Sequence, residues 1–239
     1  MNAKHELADF RFQHPTRFFV SGPSGSGKTT WVLNVIRMAE WLFCDPRCKQ
    51  NVIYFYKEYD EKNFNLAKED GCVQHWVNEK PTVDMFKQAT EPFKNSGGSI
   101  VLIDDFGTQI DKDFSEIFQV TSGKFNTTVF LMAQNLFENN ARGCSLNASY
   151  IIHFQNPRDS QQVATLARQR LNSNYNWLYE AYLDATQMEW TYLIFDNHPK
   201  TAAQNRIYSD ILPKNKNSSI GGQIEIVLYR RNPFYKKKR

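Results

Sequence analysis

A mostly parallel β-sheet flanked on both faces by helices is the fold this sequence predicts. Two observations carry that α/β assignment. Short apolar runs alternate along the chain with stretches of helical periodicity. Several of the runs are apolar nearly throughout, as strands covered on both faces are, instead of alternating between apolar and polar.

The elements follow in order. RFFVS (Arg17–Ser21) reads as a strand, and Lys28–Trp41 follows with Val32, Val35, Ile36 and Ala39 at helical spacing. NVIYFY (Asn51–Tyr56) and SIVLID (Ser99–Asp104) predict the second and third strands. A polar helix is expected over residues 112–120. TTVFLMA (Thr127–Ala133) and SYIIHF (Ser149–Phe154) give two more strands. Ser160–Leu171 sets Val163, Leu166, Ala167 and Leu171 on one helical face, Trp177–Ala185 predicts another helix, and TYLIF (Thr191–Phe195) another strand. NKNSSIGG (Asn215–Gly222) reads as a linker to a short strand, Gln223–Tyr229, and a basic tail. The organisation expected is one domain over residues 1–213 and an appended segment over 214–239, with no repeat at a period of 20–50 residues.

Composition narrows the possibilities. The 239 residues are 41% hydrophobic and 23% charged, close to the average for a globular domain, which excludes disorder along the whole chain. Four cysteines are too few for a disulfide scaffold. Apolar stretches such as Ile100–Ile103 are far shorter than the ~20 residues that cross a bilayer. The opening MNAKHELADFRFQHP has no continuous apolar run of the kind a secretory signal requires. The expectation is an intracellular protein with free thiols and no membrane partner. The net charge of +4 is uneven: RRNPFYKKKR at the end holds six cations and no acid, leaving residues 1–229 at −2. Such a tail reads as a solvated end, a nuclear-import signal or a sequence-independent contact with nucleic acid.

The strongest motif is Gly22-Pro23-Ser24-Gly25-Ser26-Gly27-Lys28-Thr29, which fits G-x-x-x-x-G-K-[ST] and lies between a predicted strand and a predicted helix. Its glycines let successive backbone N–H groups converge on an anion, and the helix start adds partial positive charge. Lys28 then suits the β- and γ-phosphates of ATP and Thr29 a Mg²⁺ ion, with Thr30 extending the cofactor-binding set. The strand SIVLID ends in Asp104-Asp105. Asp104 is the candidate Mg²⁺ residue, and Asp105 the candidate group that orients the water attacking the γ-phosphate. Gln134, just after the strand Thr127–Ala133, is the candidate sensor amide. A cation on the developing charge is also expected, and Arg142, Arg158, Arg168 and Arg170 are open to that role.

The series GPSGSGKTT, IVLIDDF, MAQNLF, SLNASYIIHFQNPRD and LARQ resembles the DNA-packaging ATPases of the HerA–FtsK superfamily. Among these it is most similar to those of Polinton/Maverick and adintovirus-type double-stranded DNA viruses, relatives of the poxvirus-type packaging ATPases. The resemblance covers about residues 15–213. It implies a RecA-like (ASCE) P-loop NTPase sheet in which the sensor strand lies between the strand of the phosphate loop and that of the acidic pair. It also implies a homo-oligomeric ring, a pentamer or hexamer, that hydrolyses ATP and threads double-stranded DNA into a capsid or its portal vertex. The site of action would be the host nucleus or the virion assembly site. Arg142 takes the position of a trans-acting arginine in such motors, with Arg158 of NPRD second. The superfamily's acidic pair is usually Asp-Glu, whereas this chain has Asp104-Asp105, one methylene shorter.

Two other function classes use the same loop: a nucleotide or small-molecule kinase, and an ATP-binding scaffold with little hydrolysis. Cys44-x₃-Cys48 with Cys72-x₂-His75 offers the ligand types of a Cys₃His zinc site at loose spacing, against the simpler reading of small buried hydrophobes. Aromatic clusters at Tyr54–Tyr59 and Tyr175–Tyr182 read as core before they read as base-stacking surfaces.

Overall fold

The computed structural model describes residues 10–137, 141–157, 160–171, 175–212 and 226–230. The linker Asn215–Gly222, the tail beyond Arg230 and Arg158 lie outside them. The chain runs β1 (Arg17–Ser21), α1 (Lys28–Arg37), α2 (Ala39–Leu42), β2 (Val52–Tyr56), α3 (Glu61–Glu69), β3 (His75–Val77), α4 (Val83–Thr90) and β4 (Ser99–Asp104). It continues with α5 (Lys112–Glu116), α6 (Ser122–Lys124), β5 (Thr127–Ala133), α7 (Arg142–Asn147) and β6 (Tyr150–Phe154). The last elements are α8 (Ser160–Leu171), α9 (Tyr175–Ala185), β7 (Tyr192–Asp196), β8 (Ile207–Ser209) and β9 (Val227–Leu228).

Among the described residues nine strands join one sheet in the order β3-β2-β4-β5-β1-β6-β7-β8-β9. The six strands from β3 to β6 are parallel, and β7, β8 and β9 add antiparallel neighbours. As the resemblance implies, β5 lies between β4 and β1. Strand alternation divides the core into two layers. Val20, Ile100, Leu102, Phe130 and Ile152 point to the face covered by α1, α2 and α3. Phe19, Val101, Ile103, Leu131 and Ile151 point to the face covered by α4, α5, α7, α8 and α9. A strand with apolar neighbours on both sides has no polar face to show, which is why these segments read as continuous apolar runs.

Departures from expectation are local. The helix predicted over Lys28–Trp41 breaks at Met38 into α1 and α2, and the one over residues 112–120 passes from α5 into a wider π turn at Ile117–Thr121. Six of the labelled elements went unpredicted: α3, β3, α4, α6, α7 and β8. In α3 only Phe64 and Ala67 are buried, so its apolar stripe is thin, while its start is fixed by Asp60, which accepts from Asn63 N. In α4 only Phe86 and Thr90 are buried, and Thr82 caps it through Met85 N. The strands β3 and β8 have three residues each, too few to show a period. The last strand, expected over Gln223–Tyr229, is Val227–Leu228 and pairs with β8 at the edge of the same sheet.

Among the described residues no helix is long and apolar enough to cross a membrane, and no group of three His, Cys, Asp or Glu side chains forms a metal cluster. All four cysteines are free. Cys48 is buried against the Asp45 carbonyl, and burial pushes its thiol up to about 12.

Candidate active site

The phosphate loop leaves β1 at Ser21 and enters α1 at Lys28. Gly22 N donates to Ala133 O at 3.3 Å, which fastens the loop to the end of β5, and Ser26 N closes a turn onto Pro23 O at 3.2 Å. Gly27 caps α1 with φ +93°, a left-handed conformation that glycine takes without steric cost. Gly22 has a different reason: a Cβ there would lie 2.7 Å from both Phe154 Cβ and Ser26 Oγ. Lys28 Nζ donates to Gly22 O at 2.8 Å and Pro23 O at 3.0 Å, so its ammonium is held within the loop by neutral carbonyls. Thr30 turns its hydroxyl away, to Asn63 Oδ1 of α3 at 2.9 Å.

Asp104 reaches this loop by parity. With Ile100 and Leu102 on the α1 face, residue 104 of the same strand also points there, toward the first turn of α1. Thr29 Oγ1 donates to Asp104 Oδ2 at 3.0 Å, and Tyr54 OH donates to the same oxygen at 2.6 Å. Tyr54 is a residue that sequence reasoning missed. Its strand is apolar on both sides, so its facing follows only from the register Tyr56↔Asp104, which makes Tyr54 the diagonal neighbour. Burial raises the Asp104 carboxyl above the ordinary carboxylate range, and the two hydroxyl bonds and the Lys28 charge only partly offset it.

Asp105 breaks the strand. Its φ is +64°, which Asp tolerates better than most residues, and its carboxylate turns to the end of β5. Gln134 Nε2 donates to Asp105 Oδ1 at 3.5 Å, at the long limit of hydrogen bonding. The ends of β1, β4 and β5 thus bring together Lys28, Thr29, Asp104, Asp105 and Gln134. Arg142 is exposed in the first turn of α7, and among the described residues no hydrogen bond or ion pair joins its side chain to that group. Arg168 and Arg170 lie in α8.

The residues fit a triphosphate with Mg²⁺. Ser26 Oγ is buried at the centre of the loop with no hydrogen-bond partner among the described residues. An anion over the loop would satisfy it together with the N–H groups. A divalent cation beside Asp104 would relieve the cost of a carboxylate in that enclosure.

Beneath the loop, Ser21 and His153 are register partners of β1 and β6. Ser21 Oγ and His153 Nδ1 share a hydrogen bond of 2.8 Å, and the imidazole stacks on Tyr182 of α9 at 5.2 Å. Burial depresses His153 to about 3, so it is neutral at physiological pH.

No protein-family model matches the sequence, and no curated protein matches it. Solved structures do. The genome packaging NTPase B204 from Sulfolobus turreted icosahedral virus 2, in complex with AMPPCP, superposes with a TM-score of 0.52 at 13% identity over 78% of this chain and 94% of that one. Its complex with ATP-gammaS gives a TM-score of 0.50 at 12% identity over 78% and 94%. Its complex with AMP gives 0.50 at 12% over 76% and 92%. The fold is that of an α/β P-loop NTPase with a RecA-like, mostly parallel sheet.

Proposed function

We propose that this chain is an ATPase that uses ATP and Mg²⁺ to move double-stranded DNA. It works as a homo-oligomeric ring, a pentamer or hexamer, that loads a viral genome through the portal vertex of a capsid. The observation that carries the reading is the meeting of three strand ends, with the Thr29–Asp104 bond at 3.0 Å spanning β5 and the Asp105–Gln134 contact at 3.5 Å joining the ends of β4 and β5. The fold likeness to a genome packaging NTPase and the HerA–FtsK motif series support it.

In this reading the loop from Gly22 to Thr29 binds the phosphates and Lys28 exchanges its carbonyl partners for β- and γ-phosphate oxygens. Thr29 and Asp104 hold Mg²⁺, which when bound neutralises charge on those phosphates. Asp105 accepts a hydrogen bond from the water that forms the new bond to the γ-phosphorus, and the bond to the bridging β-oxygen breaks to give ADP and phosphate. Gln134 holds Asp105 and senses the γ-phosphate. Arg142, on the surface in the first turn of α7, reaches the site of a neighbouring subunit, with Arg158 the alternative. Residues 1–213 form the motor, residues 214–239 an appended segment whose basic tail contacts DNA, and the protein acts in the host nucleus or at the virion assembly site.

ATP turnover with and without double-stranded DNA tests this. DNA-stimulated phosphate release by an oligomer is expected. A strictly monomeric protein without stimulation overturns the motor, and transfer of phosphate to a small acceptor instead of water makes it a kinase.

A further inference from the structure

Resting on the proposed ATPase reading, we infer that Trp190 is the platform on which the base of the nucleotide stacks, and that Gln155 and Glu189 read the edge of a purine. The sheet order creates the place. The strand β6 lies beside β1, and β7 beside β6, so the chain leaving β6 and the chain entering β7 both pass the phosphate loop. Between them the chain departs through α8 and α9 and returns at Glu189-Trp190. Gln155 N donates to Thr191 O at 3.3 Å, which joins the departing and returning segments.

Trp190 is 68% exposed, an unusual state for the largest apolar side chain when a core is at hand. A single exposed apolar side chain alone would mean little. Two further features set this one apart. Its φ is +61°, a left-handed conformation unfavourable for a bulky residue and kept only where the surroundings enforce it. The enforcing contacts are visible: Thr191 N and Thr191 Oγ1 both donate to Met188 O, at 3.4 and 2.5 Å, and close a turn around Trp190. The second feature is where that turn delivers the indole. A Cβ on Gly27 would lie 3.3 Å from Trp190 Cδ1, so one edge of the ring rests on the residue preceding Lys28.

A cleft of about 330 Å³ lies between the outer loop and this returning segment, lined by Pro23–Ser26, Gln155, Pro157, Glu189 and Trp190. Phosphates seated on the loop would therefore carry their sugar and base into a space walled by an aromatic ring. The polar groups there are complementary to a purine. The Glu189 carboxylate only accepts, and suits an exocyclic amine. The Gln155 amide both donates and accepts, and suits a ring nitrogen beside that amine. A pyrimidine, with its smaller ring, offers less surface to the indole.

The test is equilibrium binding of ATP, GTP, CTP and inorganic triphosphate to the full chain with Mg²⁺, for wild type, Trp190→Ala, Trp190→Phe and Lys28→Ala. Wild type is expected to prefer the purines to CTP, and CTP to triphosphate. Trp190→Ala is expected to lose roughly 10-fold or more in ATP affinity, the scale of one base–aromatic stack, with triphosphate affinity unchanged. Lys28→Ala is expected to weaken all four. Should Trp190→Ala fail to fold, intrinsic fluorescence decides: ATP quenches wild type, and much less so Trp190→Phe, which still binds.

Equal ATP affinity in wild type and a folded Trp190→Ala overturns the platform and leaves the ATPase reading intact. So does an equal loss for ATP and triphosphate, which would mean that Trp190 acts only by shaping the loop at Gly27. Wild type that binds neither ATP nor triphosphate overturns both. GTP bound more tightly than ATP would keep the platform and reassign the nucleotide.

Discussion

Tyr54 of β2 and Thr29 of α1 donate to one oxygen of Asp104, at 2.6 and 3.0 Å. A carboxylate so held has one oriented oxygen and a fixed plane. In the proposed ATPase, Tyr54 is a positioning residue that acts through Asp104. Tyr54→Phe keeps the packing against Phe64 and Trp76 and removes only the donor. The expected outcome is a loss of roughly 10- to 100-fold in Mg²⁺ affinity or turnover, the usual scale for groups that orient a metal ligand. A Mg²⁺ titration of nucleotide binding checks it, and an unchanged Mg²⁺ dependence would refute it.

Asp104 itself should be a residue kept at the expense of stability. Burial raises its pKa in the fold, so the native state binds the proton more readily than the unfolded chain does. The contribution is therefore fully present below the ordinary carboxyl range and is lost as pH rises through the folded value. Asp104→Asn keeps an oxygen for Tyr54 and Thr29 and removes that loss. At neutral pH the variant should melt at or above wild type while turnover falls by roughly 100-fold or more. A variant that melts several degrees lower would contradict this.

His153 gives the opposite dependence. Its pKa in the fold is about 3 against an ordinary 6.5. Between those values the unfolded chain takes up a proton that the native state refuses. Stability is thus complete above about 6.5 and falls as the medium is acidified, by up to about 1.4 kcal/mol per pH unit from this residue. Burial also lowers His14 and His198, so His153→Phe should reduce the slope without abolishing it. Denaturant unfolding at a series of pH values between neutral and mildly acidic measures the slope, and an equal slope in the variant would exclude His153 as its source.

The phosphate loop is closed by a close approach at Gly22. Gly22→Ala would push a methyl to 2.7 Å from Phe154 Cβ and from Ser26 Oγ. Overpacking of this kind costs typically 1–3 kcal/mol. Here it should also distort the anion nest, so that ATP affinity falls together with melting temperature. Wild-type melting and affinity in this variant would show the contact to be soft.

The sequence made the centre of the fold legible and its periphery much less so. Strands β1, β4, β5 and β6 carry side chains into two apolar layers, and their unbroken hydrophobicity announced them. The phosphate loop and Asp104-Asp105 were readable because a local motif fixes local geometry. What escaped depends on register and on returning chain. Tyr54 meets Asp104 only because β2 and β4 are aligned as they are, and neither run reveals that alignment by itself. Trp190 reaches Gly27 only after the α8–α9 excursion brings it back beside β6. The helices α3 and α4 were hidden by thin stripes of two buried residues each, although their caps at Asp60 and Thr82 were in plain view.

The most direct test is calorimetric titration of ATP with Mg²⁺ into the full-length wild type and into Lys28→Ala. Saturable binding at or below millimolar concentration by wild type, lost or strongly weakened in Lys28→Ala, is the predicted result. Absence of binding by a folded wild type, or equal binding by both proteins, would contradict the nucleotide site on which the proposed motor depends.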